Sequence, residues 1–216
     1  MKKFVTFTNF ITITITLTIT IISFFISKSS TASKVSVENN ISNKSNSNIP
    51  VQFYGEKVNI TLNDNEIIID GLYYFRNLDK ACKITILYPF PIGLSYSYPH
   101  FIHVEEKDYK LNNKGIYWNM NFTEHNEQQT VRVVYKQKVS LCKAEYIVIT
   151  TKKWGKPLDF AEFYIDIPEY FCNFVSSYQL KEYSNNKKRK LYSFKKQMFW
   201  PDNNFIFSWN IANENN

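Results

Sequence analysis

The sequence predicts an all-β fold, an antiparallel β-sandwich of the immunoglobulin-like or jelly-roll-like kind. Three observations carry this reading. Alternating apolar and polar runs recur about every 8 to 12 residues, as in a sandwich built of short strands. Beyond the leader, no segment keeps a helical apolar period over the roughly 10 residues a helix needs. The clearest single run sets Ala161, Phe163, Ile165 and Ile167 against Glu162, Tyr164 and Asp166 and ends at Pro168, a half-buried strand.

The N-terminus reads as a targeting segment. Met1-Lys-Lys3 precedes an uncharged run, residues 4–26, and then Ser-Lys-Ser-Ser-Thr-Ala-Ser33. A basic start, an apolar centre and small residues near Ala32 make residues 1–33 a secretory signal peptide. The uncharged run is also about as long as a membrane span, so an uncleaved signal-anchor helix is the alternative. The Thr-rich repeat at Ile11 to Thr18 lowers its hydrophobicity and favours cleavage. Residues 34–50 are polar and low in complexity and read as a disordered linker. The domain then spans 51–212, with 174–212 set apart as a candidate C-terminal extension and 213–216 as a tail. This organisation places the protein in the secreted or cell-surface space, with an envelope protein or glycan as the expected partner.

Within the domain, Val58, Ile60 and Leu62 alternate inward, Asn63-Asp-Asn65 turns the chain, and Ile67, Ile69, Tyr73 and Phe75 return on one face. That is a hairpin signature. Cys82, Ile84, Ile86 and Tyr88 line a third strand. Pro89 to Pro99 forms a loop rich in Pro and Tyr, and Tyr96 and Tyr98 in it are candidate ligand contacts. A short strand follows at His100 to Glu106. His100 and His103 differ in parity and face opposite sides, which argues against a shared metal. Ile116, Trp118, Met120 and Phe122 alternate, as do Val131, Val133, Tyr135 and Val139.

Residues 145–151 are mostly β-branched or aromatic, with apolar residues on both parities, which predicts a strand covered on both faces. Lys152 to Pro157 carries turn signals, and Ala161, Phe163, Ile165 and Ile167 then alternate up to Pro168. The two runs together predict a central hairpin. Trp154 in its turn is either an aromatic platform for a ligand or a cap folded back on the core. After Cys172, strand-like runs fall at about 174–183, 190–199 and 204–211.

The pattern Tyr146…Thr150-Thr151…Trp154-Gly155-x-Pro157, followed by Ala161-x-Phe163-x-Ile165-x-Ile167-Pro168, resembles secreted bacterial β-sandwich proteins grouped as a domain of unknown function. The resemblance covers roughly residues 52–170. It implies a sandwich outside the cytoplasm and implies no catalytic residues.

Charge and motifs narrow the function further. The formal charge is +7. Lys2, Lys3 and Lys28 lie in the leader, leaving about +4 on the remainder, too mild to indicate a nucleic-acid binder. Lys187, Lys188, Arg189 and Lys190 form a basic cluster for an anionic surface, or a solvated hairpin end. Cys82, Cys142 and Cys172 allow one disulfide, and Cys142 with Cys172 is the favoured pair because both flank the predicted central strands. The sequence has no nucleophile elbow, zinc-binding His-Glu-x-x-His, P-loop or dinucleotide fingerprint. A glycosidase carboxylate pair would have to come from Glu105, Glu106, Asp108 and Glu124. The expectation is a non-catalytic module with no cofactor and no metal, binding or structural at the envelope. The alternative is a carbohydrate- or wall-active enzyme on the same scaffold.

Overall fold

The computed structural model describes residues 49–186 and 188–211. The leader, nearly all of the linker, Lys187 and the tail lie outside the described residues. In chain order the strands are β1 (Val51–Asn63), β2 (Glu66–Asn77), β3 (Cys82–Pro89), β4 (Phe101–Val104), β5 (Lys110–Asn112), β6 (Gly115–Phe122) and β7 (Gln128–Lys138). They continue as β8 (Lys143–Tyr146), β9 (Leu158–Pro168), β10 (Phe171–Ser176), β11 (Lys181–Asn186), β12 (Arg189–Phe199) and β13 (Phe205–Ile211).

The expected all-β architecture holds. One layer is a seven-stranded sheet in the order β11-β12-β9-β1-β2-β7-β4, and two three-stranded sheets, β3-β6-β5 and β10-β13-β8, make up the rest. These counts differ from the seven-strand immunoglobulin and eight-strand jelly-roll plans. The large sheet is also mixed. β1 runs antiparallel to β2 but parallel to β9, with Gly55 opposite Phe160 through Thr61 opposite Asp166.

Period-two alternation explains why one face of the large sheet is buried. Ile60, Ile69, Val133 and Ile165 lie on that face and are shielded from solvent. The small sheets divide the face between them. Tyr88 of β3 packs against Tyr73 and Tyr135 of β2 and β7, with ring centres 5.3 and 6.1 Å away. Tyr146 of β8 and Phe205 of β13 pack on Phe163 of β9, at 5.9 and 4.4 Å. β1 lies between these halves, beneath the seam where the small sheets meet.

Three expectations are corrected. The predicted central hairpin does not form. β8 ends at Tyr146 and pairs with β13, whereas β9 lies in the large sheet. The amides of Val148 and Ile149 both donate to Asn204 Oδ1, at 3.1 Å each, and take no strand partner. The chain then winds through a 3₁₀ turn, Ile149–Trp154, closed by Gly155 at φ 73°. Second, the run at 174–183 divides into β10 and β11, which belong to different sheets. Third, the strands after Cys172 are part of the common core: β12 pairs along β9, and β13 buries Phe205, Phe207 and Trp209.

The Cys142–Cys172 disulfide is likewise absent, and all three cysteines are free thiols. Cys172 lies opposite Asn210 on one side of β13, while the Cys142 carbonyl accepts from the Trp209 amide on the other. Two strand spacings separate them by about 10 Å, beyond the roughly 7 Å that a disulfide spans between Cα atoms.

Candidate functional site

The site is a buried carboxylate at the seam. Val51 and Phe53 of β1 face the core on odd positions, and Val58, Ile60 and Leu62 face it on even ones. A register shift between Phe53 and Gly55 accounts for the change of phase. Past this bulge the inward set begins with Glu56, which is 2% exposed. Gly55 lets the Phe160 ring lie close over the bulge: a Cβ there would be 2.3 Å from the ring, which would have to swing aside.

Three tyrosines complete the cluster, and together with Glu56 they come from all three sheets. The Tyr146 hydroxyl lies 3.1 Å from Glu56 Oε2 and 3.1 Å from the Tyr73 hydroxyl. The Tyr73 hydroxyl in turn lies 2.6 Å from that of Tyr88. Gly71 makes room for this arrangement: a Cβ there would lie 2.2 Å from the Tyr73 hydroxyl. Burial pushes the Glu56 carboxyl up from 4.5 to about 8, partly offset by the Tyr146 hydroxyl. Burial likewise raises the phenols of Tyr73, Tyr88 and Tyr146 well above their ordinary value. At neutral pH the cluster is therefore a protonated acid joined to a chain of hydroxyls.

The cluster borders a cavity of about 60 Å³, whose lining also includes Phe53, Phe75, Trp118, Thr151 and Trp154. Two buried polar atoms of that lining have no hydrogen-bond partner in the protein, Glu56 Oε1 and Trp118 Nε1. Leu87 and Ile147, exposed and half-buried, extend the lining to the surface. Trp154 packs on Phe53 and Phe75, at 6.0 and 5.7 Å, so its ring caps the core. Trp154 also borders an outer recess of about 620 Å³ with Gln52, Asp79, Lys153 and Lys156.

The other residues singled out in the sequence lie elsewhere. Tyr96 and Tyr98 are half-buried, and the Tyr98 hydroxyl donates to the Gly115 carbonyl at 2.9 Å. The loop instead exposes Ile92 and Leu94. Gln137, buried on β7, holds that loop by donating to the Pro91 and Ser97 carbonyls at 2.5 and 2.6 Å. In the basic cluster, Arg189 pairs with Asp166, and Lys190 lies 3.6 Å from a Glu169 oxygen. These contacts join β12 to the end of β9. Glu105 and Glu106 sit side by side on an exposed turn above a shallow depression with Gln129 and Thr130. Among the described residues, no cluster of His, Cys, Asp and Glu could hold a metal ion.

Sequence reasoning missed Glu56 and Tyr88 as parts of a site. Glu56 shares the even parity of Val58 and Ile60, and that parity was the available signal.

No family model and no curated protein matches the chain. Solved structures do share its fold. A "putative nutrient binding protein" from Legionella pneumophila superposes with a TM-score of 0.52 at 11% identity, over 74% of this chain and 67% of that one. An M1 zinc metallopeptidase from Deinococcus radiodurans superposes with a TM-score of 0.47 at 8% identity. That match covers 74% of this chain and 42% of the peptidase, so the chain spans less than half the peptidase's length. At 11% identity the likeness to the Legionella protein is one of fold alone.

Proposed function

We propose that this protein is a non-catalytic binding module of the exported space or cell envelope, and that the cavity over Glu56 seats its ligand. The observation that carries this reading is that two residues lining the cavity, Glu56 and Trp118, each keep a buried polar atom, Oε1 and Nε1, without a partner. Buried polar groups are nearly always satisfied, and leaving one bare costs about 1–3 kcal/mol. A ligand that pairs with both would recover that cost. The aromatic wall with a few polar groups has the chemistry of small-molecule seats, at a volume of about 60 Å³ that is far below their usual roughly 300–1,000 Å³ and suits only a very small ligand. The envelope placement rests on the residue pattern at 1–33. Removal of the leader and its retention through residues 4–26 are the two alternatives, and sequencing the N-terminus of the native protein distinguishes them.

The test is a thermal-shift screen of small polar compounds against the wild type and Thr151→Leu, which adds bulk to the cavity wall. Ligands should raise the melting temperature of the wild type and leave the variant unmoved. The reading fails if no compound distinguishes the two proteins. It also fails if the protein hydrolyses glycan or cell-wall polymer at enzyme-like rates.

A further inference from the structure

We infer that the Glu56 cavity takes a small organic ammonium, a primary amine carrying a hydroxyl or similar oxygen within a few atoms of the nitrogen. This rests on the cavity being a ligand seat and specifies what occupies it. Four features of the wall select that chemistry. Glu56 offers an unpartnered oxygen, Oε1, on an acid that ionises beside an incoming cation, while Oε2 accepts from the Tyr146 hydroxyl. Around it stand the rings of Phe53, Tyr73, Tyr88, Trp118 and Trp154, surfaces that attract a cation desolvated against them. The lining contains no lysine, arginine or histidine, so nothing in the wall repels a cation or neutralises the acid internally. The Trp118 indole N–H is a donor without an acceptor, and it is matched by an oxygen on the ligand.

Other classes fit less well. An anion would meet a buried acid and the faces of aromatic rings with no cation to balance its charge. A hydrocarbon would leave both polar atoms unpaired. The volume of about 60 Å³ restricts the ligand to a few heavy atoms. It would also hold about two waters, at roughly 30 Å³ each.

The seat has a proton-linked signature. The titratable groups around Glu56 are the phenols of Tyr73, Tyr88 and Tyr146 and, further off, that of Tyr178, all of them pushed above their ordinary value by burial and neutral. Glu56 itself holds its proton up to about pH 8. When R–NH₃⁺ enters, the carboxyl gives its proton to solvent and remains as carboxylate beside the ammonium. Binding at pH 7 therefore releases close to one proton; at pH 9.5, where Glu56 is already ionised and part of the free amine is neutral, the release disappears and turns to uptake.

The experiment titrates the full chain with ethanolamine, ethylene glycol and potassium chloride. It follows tryptophan fluorescence and counts protons by calorimetry in two buffers of different ionisation enthalpy. Ethanolamine should saturate the signal and release close to one proton at pH 7, while the glycol and the salt should not. Glu56→Gln should weaken ethanolamine at least tenfold without weakening neutral ligands. Equal responses to ethanolamine and glycol, or saturable binding with no proton released at pH 7, would overturn the ammonium and leave the cavity standing as a seat. No response to any probe, together with a thermal-shift screen that fails to separate wild type from Thr151→Leu, would overturn both readings and leave a water-filled cavity. If Glu56→Gln does not fold, the proton count on the wild type decides alone.

Discussion

At the scale of the residue, Glu56 sets the protein's response to pH. Its carboxyl is raised from 4.5 to about 8 in the folded chain, so between those values the native state holds a proton that the unfolded state has lost. The stability this provides is complete below about pH 4.5 and falls as pH rises through 8. A shift of this size corresponds to roughly 3 to 5 kcal/mol across the window. Glu56→Gln keeps the shape of the neutral acid and removes the titration. We expect denaturant midpoints of the wild type to fall between pH 5 and pH 9 and those of the variant to stay nearly flat. Parallel curves for the two proteins would show that Glu56 does not titrate abnormally. The parity of β1 made Glu56 readable from sequence as an inward residue. Its setting was not readable, because Trp118 and Tyr146, which line the same cavity, come from strands 62 and 90 residues further along.

At the scale of the element, loops here are held by single buried side chains. Gln137 occupies an inward position on β7 between Tyr135 and Val139, where the alternation calls for an apolar residue. Its amide satisfies two carbonyls of the loop at 89–99. Gln137→Leu should therefore cost about 2 kcal/mol, since it strands those acceptors, and should speed hydrogen exchange at Ser97 and His100. An unchanged melting temperature would mean that the loop holds itself. The cysteines give a second check. Peptide mapping of oxidised, folded protein should find no link between Cys142 and Cys172, because β13 lies between them. Most strands were legible in the sequence because alternation is a local property. Val58 to Leu62 and Ile116 to Phe122 face inward as their spacing requires. The pairing of β8 was not legible. Residues 145–151 are as β-prone as any in the chain, but the Asn204 side chain takes the amides that would have continued the strand. That competitor lies 55 residues away from Ile149.

At the scale of the whole molecule, the large sheet is assembled from distant parts of the chain. β1 has β2 on one side and β9 on the other, and β12 lies beyond β9. Phe163 of β9 packs on Phe194, Phe199 and Phe205, so the final strands complete the core begun by the first. Deleting everything after Ser177 should abolish cooperative unfolding by calorimetry rather than trim an appendage. A truncated chain that melts sharply would show that the N-terminal part folds alone. Such non-local pairing also predicts slow refolding, in milliseconds to seconds, as in other all-β domains of high contact order.

The parallel seam between β1 and β9 also has a history during synthesis. The edge of β1 from Gly55 to Thr61 has no partner until Phe160 to Asp166 leave the ribosome, roughly a hundred residues later. At about 5 to 20 residues per second this interval lasts on the order of 5 to 20 s. Through that time the nascent hairpin of β1 and β2 presents an open row of amides and carbonyls beside Val58 and Ile60, a surface prone to pair with another chain. A holding chaperone, or delivery across a membrane as an extended chain, would cover it until β9 is made.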